Sequence, residues 1–161
     1  MPLVTSKALM LDAQKGRYAV GAFNIENMEM AQDVIEAAQE SNAPVILQTT
    51  PGTLKYAGPD VFAGMVAALA RKAKVPVALH LDHGNSFDLA KEALAAGYTS
   101  VMIDGSALNL EDNIALSRRV VEIVAPLGIP VEAELGKVAA RRTTSPPIMT
   151  PTPILRRPCG S

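Results

Sequence analysis

Three ionisable side chains within four residues, His80, Asp82 and His83, close the apolar run Val75-Pro76-Val77-Ala78-Leu79. The run reads as a buried parallel strand, and nothing in its packing asks for charge at its end. In barrels and doubly wound sheets, polar residues at the carboxyl end of a strand face a site rather than a core. An acid beside a metal-binding imidazole suits metal-assisted proton transfer. Other apolar runs end the same way. They lead to Asn24, to Thr49-Thr50, to Asp104, and to Glu132 and Glu134. If the strands are parallel, these groups share one rim. Several carboxylates and an imidazole there can hold a divalent metal and leave one acid free.

Each residue has a plainer alternative. His80 lies two positions before Asp82, on the same strand face, and reads first as a structural hydrogen-bonding residue. Asp82 is also placed to cap a helix starting near Ser86. Asp104-Gly105-Ser106 also suits a turn. Of Glu132 and Glu134, one has Lys137 as a candidate partner. His80 and His83, three apart on a strand, are expected to point to opposite faces. Catalytic zinc usually takes three protein ligands, and the sequence has only two histidines, so a histidine-rich site is not complete in it.

The elements that must position these groups alternate. A short helix capped by Thr5 or Ser6 ends before Gly16, and Tyr18 to Ala22 reads as a strand. Ala31, Val34, Ile35 and Ala38 fall at helical spacing, and Val45-Ile46-Leu47 is the second strand. Asp60 is placed to cap a helix with Phe62, Met65, Val66 and Leu69 on its buried side. After the His-rich strand, Ser86 caps a helix that Gly97 terminates. Val101-Met102-Ile103 is the fourth strand. A helix bearing Ile114, Val120, Val121, Val124 and Leu127 precedes the fifth, Val131 to Glu134. Three strands open on apolar-Pro-Val, at Pro44, Pro76 and Pro130, where proline's missing N–H falls outside the ladder. Strand starts recur roughly every 25 to 30 residues, the length of one βα unit. A closed eight-unit barrel needs about 250 residues. The sequence therefore predicts α/β architecture, either a small doubly wound sheet or a barrel of about five strands cut off partway.

The chain has 161 residues and a net charge of −1, which gives no reason to expect nucleic acid or an anionic membrane as partner. Its lone cysteine excludes an intrachain disulfide and suits a reducing compartment. No signal-peptide core and no membrane-length apolar run is visible, so a cytoplasmic protein is expected. The texture changes at Ala139. Residues 139–161 hold five of the twelve prolines and four arginines with no acid, leaving residues 1–138 at a net of −5. The expected division is a folded unit over 1–138 and a disordered Pro/Arg-rich tail over 139–161, read as out-of-frame translation.

Five segments carry a family resemblance: Ala22-Phe23-Asn24-Ile25, Pro44-Val45-Ile46-Leu47, Leu79-His80-Leu81-Asp82-His83-Gly84, Val101-Met102-Ile103-Asp104-Gly105-Ser106 and Val131-Glu132-Ala133-Glu134-Leu135-Gly136. Through them the chain resembles the class II, zinc-dependent fructose-bisphosphate/tagatose-bisphosphate aldolases over residues 3–138. Thr50-Pro51-Gly52-Thr53 is more similar to the tagatose-bisphosphate branch. The resemblance implies an incomplete (β/α)8 barrel. It also implies retro-aldol cleavage of a ketose 1,6-bisphosphate to dihydroxyacetone phosphate and glyceraldehyde 3-phosphate. By resemblance, Asp82 is the proton donor and acceptor and His83 a ligand of catalytic zinc. Asp104 and Glu134 match a second metal site, and Asn24 and Thr50 match the rim that meets substrate. Full-length family members are expected to be homo-oligomers. The family's other two zinc histidines and its glycine-rich phosphate-binding segments have no counterpart here. The polypeptide as written is therefore expected to bind zinc weakly and to lack activity alone. The alternatives are a non-catalytic assembly subunit of the same fold and a small α/β binding module with a proline-rich arm.

Overall fold

Period-two alternation decides the layering, because successive strand residues point to opposite faces of a sheet. The computed structural model describes residues 3–136 and contains five parallel strands hydrogen-bonded in sequence order. They are β1 (Gly21–Asn24), β2 (Val45–Thr49), β3 (Val77–Gly84), β4 (Ser100–Ile103) and β5 (Val131–Ala133). Six helices alternate with them: α1 (Ser6–Gly16), α2 (Met28–Glu40), α3 (Pro51–Ala57), α4 (Pro59–Lys72), α5 (Phe87–Ala96) and α6 (Leu110–Val124). The outward-facing Val45, Leu47, Val77, Leu79, Leu81, Val101 and Ile103 bury themselves with Ile35, Phe62, Val66, Ala90 and Val120 of the helices. On the other face Ile46 and Ala78 pack against Leu9 of α1. The Val4 N–H donates to the Val77 carbonyl at 2.9 Å, tying the approach to α1 to the start of β3. One face of the sheet is thus aliphatic and covered by helices. The other is polar toward the strand ends.

The caps of α5 follow the sequence. Ser86 accepts the Leu89 N–H at 3.2 Å and starts α5. Gly97 ends α5 at φ +108°, a conformation that side chains rarely adopt. The expected cap of α1 is corrected: the Thr5 side chain makes no capping bond, the Ser6 hydroxyl donates to Ser100 instead, and the helix includes Gly16 rather than ending before it. Four more expectations are corrected. The first strand is Gly21–Asn24 rather than Tyr18 to Ala22, because Arg17 turns left-handed and the Tyr18 N–H still closes onto Ala13. Asp60 does not cap α4: Gly58 holds that position and Asp60 lies in the first turn. Leu127 belongs to a 3-10 turn, Ala125–Leu127, after α6 has ended. The last strand stops at Ala133, one residue before Glu134. Helix α3 is an addition to the expected elements. Among the described residues no strand pairs with the outer edge of β1 or of β5. The expected tail over 139–161 lies outside the described residues.

Tyr98, just before β4, is fully buried, and its hydroxyl lies 2.7 Å from the Thr49 hydroxyl at the end of β2. Burial pushes the phenol up to about 12, with the Thr49 hydrogen bond opposing it. This pair pins the β2 terminus to the loop entering β4. Tyr98→Phe is expected to cost about 1–3 kcal/mol by stranding a buried hydroxyl, whereas Tyr98→Phe with Thr49→Val costs less than the two singles summed. Urea denaturation of the three variants measures both.

Candidate metal and acid–base site

The site is built on an irregularity in β3. Leu81 pairs with Val101 and Gly84 pairs with Ile103, so Asp82 and His83 together oppose Met102 alone. That two-against-one count is a β-bulge. Its second residue, His83, sits at φ +50°, a left-handed conformation that costs a non-glycine residue of order 1 kcal/mol. The bulge leaves the His83 N–H off the ladder, and it meets the Met102 sulfur at 3.4 Å. Pairing resumes where the Asp104 N–H donates to the Gly84 carbonyl at 2.8 Å. Only a residue without Cβ suits position 84, since a methyl there meets the Met102 carbonyl oxygen and the Leu81 side chain.

The bulge brings consecutive side chains to one rim. Asp82 Oδ2 accepts from Asn24 Nδ2 of β1 at 3.2 Å, and Asp82 Oδ1 lies 3.9 Å from His83 Nε2. His83 Nδ1 lies 3.4 Å from Asp104 Oδ2 and 3.6 Å from Glu134 Oε2. The expectation that the two histidines face opposite ways is therefore corrected. The extra residue breaks the alternation, and both imidazoles turn toward the carboxylates of β5 and its end. Asn24, Asp82, His83, Asp104 and Glu134 form one continuous chain of contacts. Thr50 stands apart from it. Its hydroxyl caps α3, accepting the Thr53 N–H at 3.3 Å and lying 3.0 Å from the Thr53 hydroxyl. Thr53 in turn donates to Glu26 at 2.8 Å.

One donor atom each from His83, Asp104 and Glu134 lies within 4.8 Å of the others. A tetrahedral ion with ~2.1 Å bonds separates its ligands by about 3.4 Å, close to the two imidazole–carboxylate separations. One imidazole nitrogen and two carboxylate oxygens are also a donor set that suits zinc or a similar divalent cation. The three donors lie close enough together to serve one ion. Asp104 is held ionised: hydrogen bonds from the Ser106 side chain and N–H, and the nearby His83, keep its carboxyl below the ordinary range. Asn113, which the sequence did not single out, and Gly105, read from it only as part of a turn, frame the cluster. Asn113 of α6 donates to the Glu134 carbonyl at 2.8 Å, fixing the backbone that carries this carboxylate. Gly105 leaves the space that the Asn113 side chain fills.

Below the rim His80 is buried, with Nδ1 at 2.7 Å from the Ser100 hydroxyl and Nε2 at 3.6 Å from Glu132 Oε2. Burial lowers its pKa to about 4, opposed by the Asp82 charge and assisted by that of His83.

The sequence model described as "Fructose-bisphosphate aldolase class-II" matches residues 4–151. Similar proteins include the fructose-bisphosphate aldolase of Staphylococcus aureus (strain Mu50 / ATCC 700699), 47% identical over 144 residues, covering 88% of this chain and 50% of that protein. The fructose-bisphosphate aldolase of Thermus caldophilus is 48% identical over 137 residues, covering 85% and 45%. Among solved structures, the YdjI aldolase from Escherichia coli K12 superimposes with a TM-score of 0.80 at 41% identity, over 85% of this chain and 53% of that one. The fructose-bisphosphate aldolase from Campylobacter jejuni gives 0.74 at 26% identity, over 85% and 48%. The chain spans about half the length of the curated relatives it matches. Its five parallel strands are part of the barrel that the structural neighbours share.

His80 makes stability sensitive to acid. The folded state resists its protonation down to about 4, whereas an unfolded histidine binds a proton near 6.5. Between these values the unfolded chain holds more protons, so stability falls as pH drops through that window. The loss between pH 7 and pH 5 is expected to be about 2 kcal/mol. It should be absent from His80→Gln, as read from urea midpoints of the two proteins at both pH values.

Proposed function

Since the chain belongs to the class II fructose-bisphosphate aldolase family, we propose that its rim is the proton-transfer and metal-binding part of a zinc-dependent ketose-bisphosphate aldolase site. The single observation that carries this reading is the clustering of His83, Asp104 and Glu134 next to Asp82. His83, Asp104 and Glu134 would hold the metal. When bound, the ion supplies Lewis-acid stabilisation of the negative charge that carbon–carbon cleavage places on oxygen. Asp82 takes the proton from the hydroxyl that becomes the aldehyde and returns it in condensation. Asn24 donates to one Asp82 oxygen. That bond orients the carboxylate and leaves its other oxygen to the substrate. Thr50 is assigned to the substrate rim as part of the turn that opens α3.

The substrate is proposed to be a ketose 1,6-bisphosphate, cleaved to dihydroxyacetone phosphate and glyceraldehyde 3-phosphate. The relatives' names support the fructose epimer, and Thr50-Pro51-Gly52-Thr53 favours the tagatose epimer. A cytoplasmic location and a homo-oligomeric full-length protein complete the proposal. Among the described residues no helix is long and apolar enough to cross a membrane.

The 161-residue chain alone is proposed to bind zinc weakly and to turn over neither epimer. Of its two histidines, only His83 reaches the cluster, and His80 is committed to Ser100. Zinc titration and a coupled assay for glyceraldehyde 3-phosphate, run with both epimers, test this; turnover by the chain at a rate typical of whole enzymes refutes the inactivity. Fusing residues 1–136 to the remaining half of the Staphylococcus aureus relative tests the site. The fusion is expected to cleave substrate, and Asp82→Asn to lower its kcat by about 10²- to 10⁴-fold, the range for a general acid–base group, with zinc affinity unchanged. An Asp82→Asn fusion with full activity removes Asp82 from that role.

A further inference from the structure

Beneath the rim lies a second layer with the same plan. Strands β3, β4 and β5 contribute His80, Ser100 and Glu132 to it, as β3, the end of β4 and the end of β5 contribute His83, Asp104 and Glu134 above. The lower layer is anchored from α1. The Ser6 hydroxyl donates to the Ser100 hydroxyl at 2.7 Å, and Ser100 lies 2.7 Å from His80 Nδ1. With its oxygen accepting from Ser6, the Ser100 hydroxyl is free to direct its own proton at Nδ1. In that arrangement the ring carries its proton on Nε2, the nitrogen that faces Glu132.

We propose that His80 is a positioning residue, set in one tautomer by Ser6 and Ser100, whose Nε2 edge faces the Glu132 carboxylate across 3.6 Å as a charge–dipole contact and so biases where β5, and with it Glu134, stands beside His83. The argument rests on how little else holds β5. The strand is three residues long and lies at the edge, and none of its residues is fully buried. Its register against β4 depends on three residue pairs. Glu132 faces His80 and Glu134 faces His83, so both carboxylates lie on the inner side with one residue between them. Asn113 fixes the backbone at Glu134 from the helix side. His80 is the only described contact of the Glu132 side chain on the inner side. The ring is buried and neutral at pH 7, so it acts as a fixed dipole. It does not compete with His83 for a cation.

The test uses the full 161-residue chain with Ser100→Ala, Glu132→Ala and Glu132→Gln. Glu132 is largely exposed (63% of its side chain), so its replacement by alanine does not threaten folding; Glu132→Lys serves as a second disruptive variant. In metal-free protein at pH 7, nitrogen-15 shifts report the tautomer of His80. Those of His83, with the carboxylate carbon of Glu134, report the upper layer. The wild type is expected to show the Nε2–H tautomer of His80, and Ser100→Ala a mixture. Glu132→Ala and Glu132→Lys are expected to move the His83 and Glu134 resonances. Glu132→Gln, whose amide oxygen still presents the negative end of a dipole to the Nε2 edge, should return them toward wild type. Unmoved resonances in both disruptive variants, or an Nδ1–H tautomer in the wild type, overturn the proposal. A cobalt(II) titration adds a second arm, which rests on the metal-site reading above. Glu132→Ala should weaken cobalt binding about tenfold, as loss of an outer-shell partner typically does, and Glu132→Gln much less. A wild type that binds no cobalt refutes the metal site, and the resonances still decide the positioning role. Equal cobalt affinity in wild type and Glu132→Ala counts against His80.

Discussion

One extra residue in β3 determines what this sheet can do. Without it, Asp82 and His83 would alternate like any strand neighbours, one toward the helices and one toward the inner face. The bulge places both against Met102 and lets them share the rim. Its cost is local: a left-handed histidine, an amide whose partner is sulfur, and a glycine that no other residue replaces without collision. Strain of this kind persists only where the surroundings over-determine it. Here they do. Leu81 is fully buried on one side of the bulge, and the Gly84 carbonyl accepts from Asp104 on the other. The same bond that closes the bulge therefore aligns the strand end that carries Asp104.

The two faces of the sheet divide the work. The outer face is aliphatic and buried, so hydrophobic burial, at about 25 cal/mol per Å², acts on residues with no chemical duty. The inner face begins apolar at Ile46 and Ala78 under α1 and becomes polar along the strand direction through His80 and Asp82. A parallel sheet makes this gradient useful, because every strand reaches its polar end on the same side. Asn24 and Asp82 sit on β1 and β3, with β2 between them, yet their side chains meet at 3.2 Å. Such a meeting across an intervening strand requires the sheet to curve inward, as a barrel wall does.

The strand ends are legible in the sequence because a buried parallel strand gains nothing in packing from closing on charge. Asn24, Asp82, His83, Asp104 and Glu134 can be gathered on that basis alone. The geometry among them cannot. A bulge depends on the pairing of two strands, and the sequence of one strand shows only that glycine follows His83. An isolated glycine at a strand end is the available sign. Helix α3 has a clearer one: threonine followed by proline, a cap residue and a first-turn residue in order. That cap also accounts for Thr50 being engaged with Thr53 and α3 while the other rim residues meet one another. The sequence pattern sets the first strand three residues early because Tyr18 and Val20 look like strand residues. Only the pairing of Gly21 with Val45 shows where the ladder begins.

Donor arithmetic follows from the same geometry. Two histidines in four residues suggest a metal pair, but a ligand must present a lone pair to the ion. His80 has Nδ1 engaged with the Ser100 hydroxyl and Nε2 facing Glu132, and its pKa sits at about 4 because burial opposes its charge. Freeing either nitrogen would strand a buried hydroxyl or turn the ring within packed surroundings, each at a cost of about 1–3 kcal/mol. His83 has no such commitment. Its side chain is about half exposed and its Nδ1 faces two carboxylates. Among the described residues the cluster therefore offers one nitrogen and two carboxylate oxygens, from His83, Asp104 and Glu134. His80 adds no free lone pair to them.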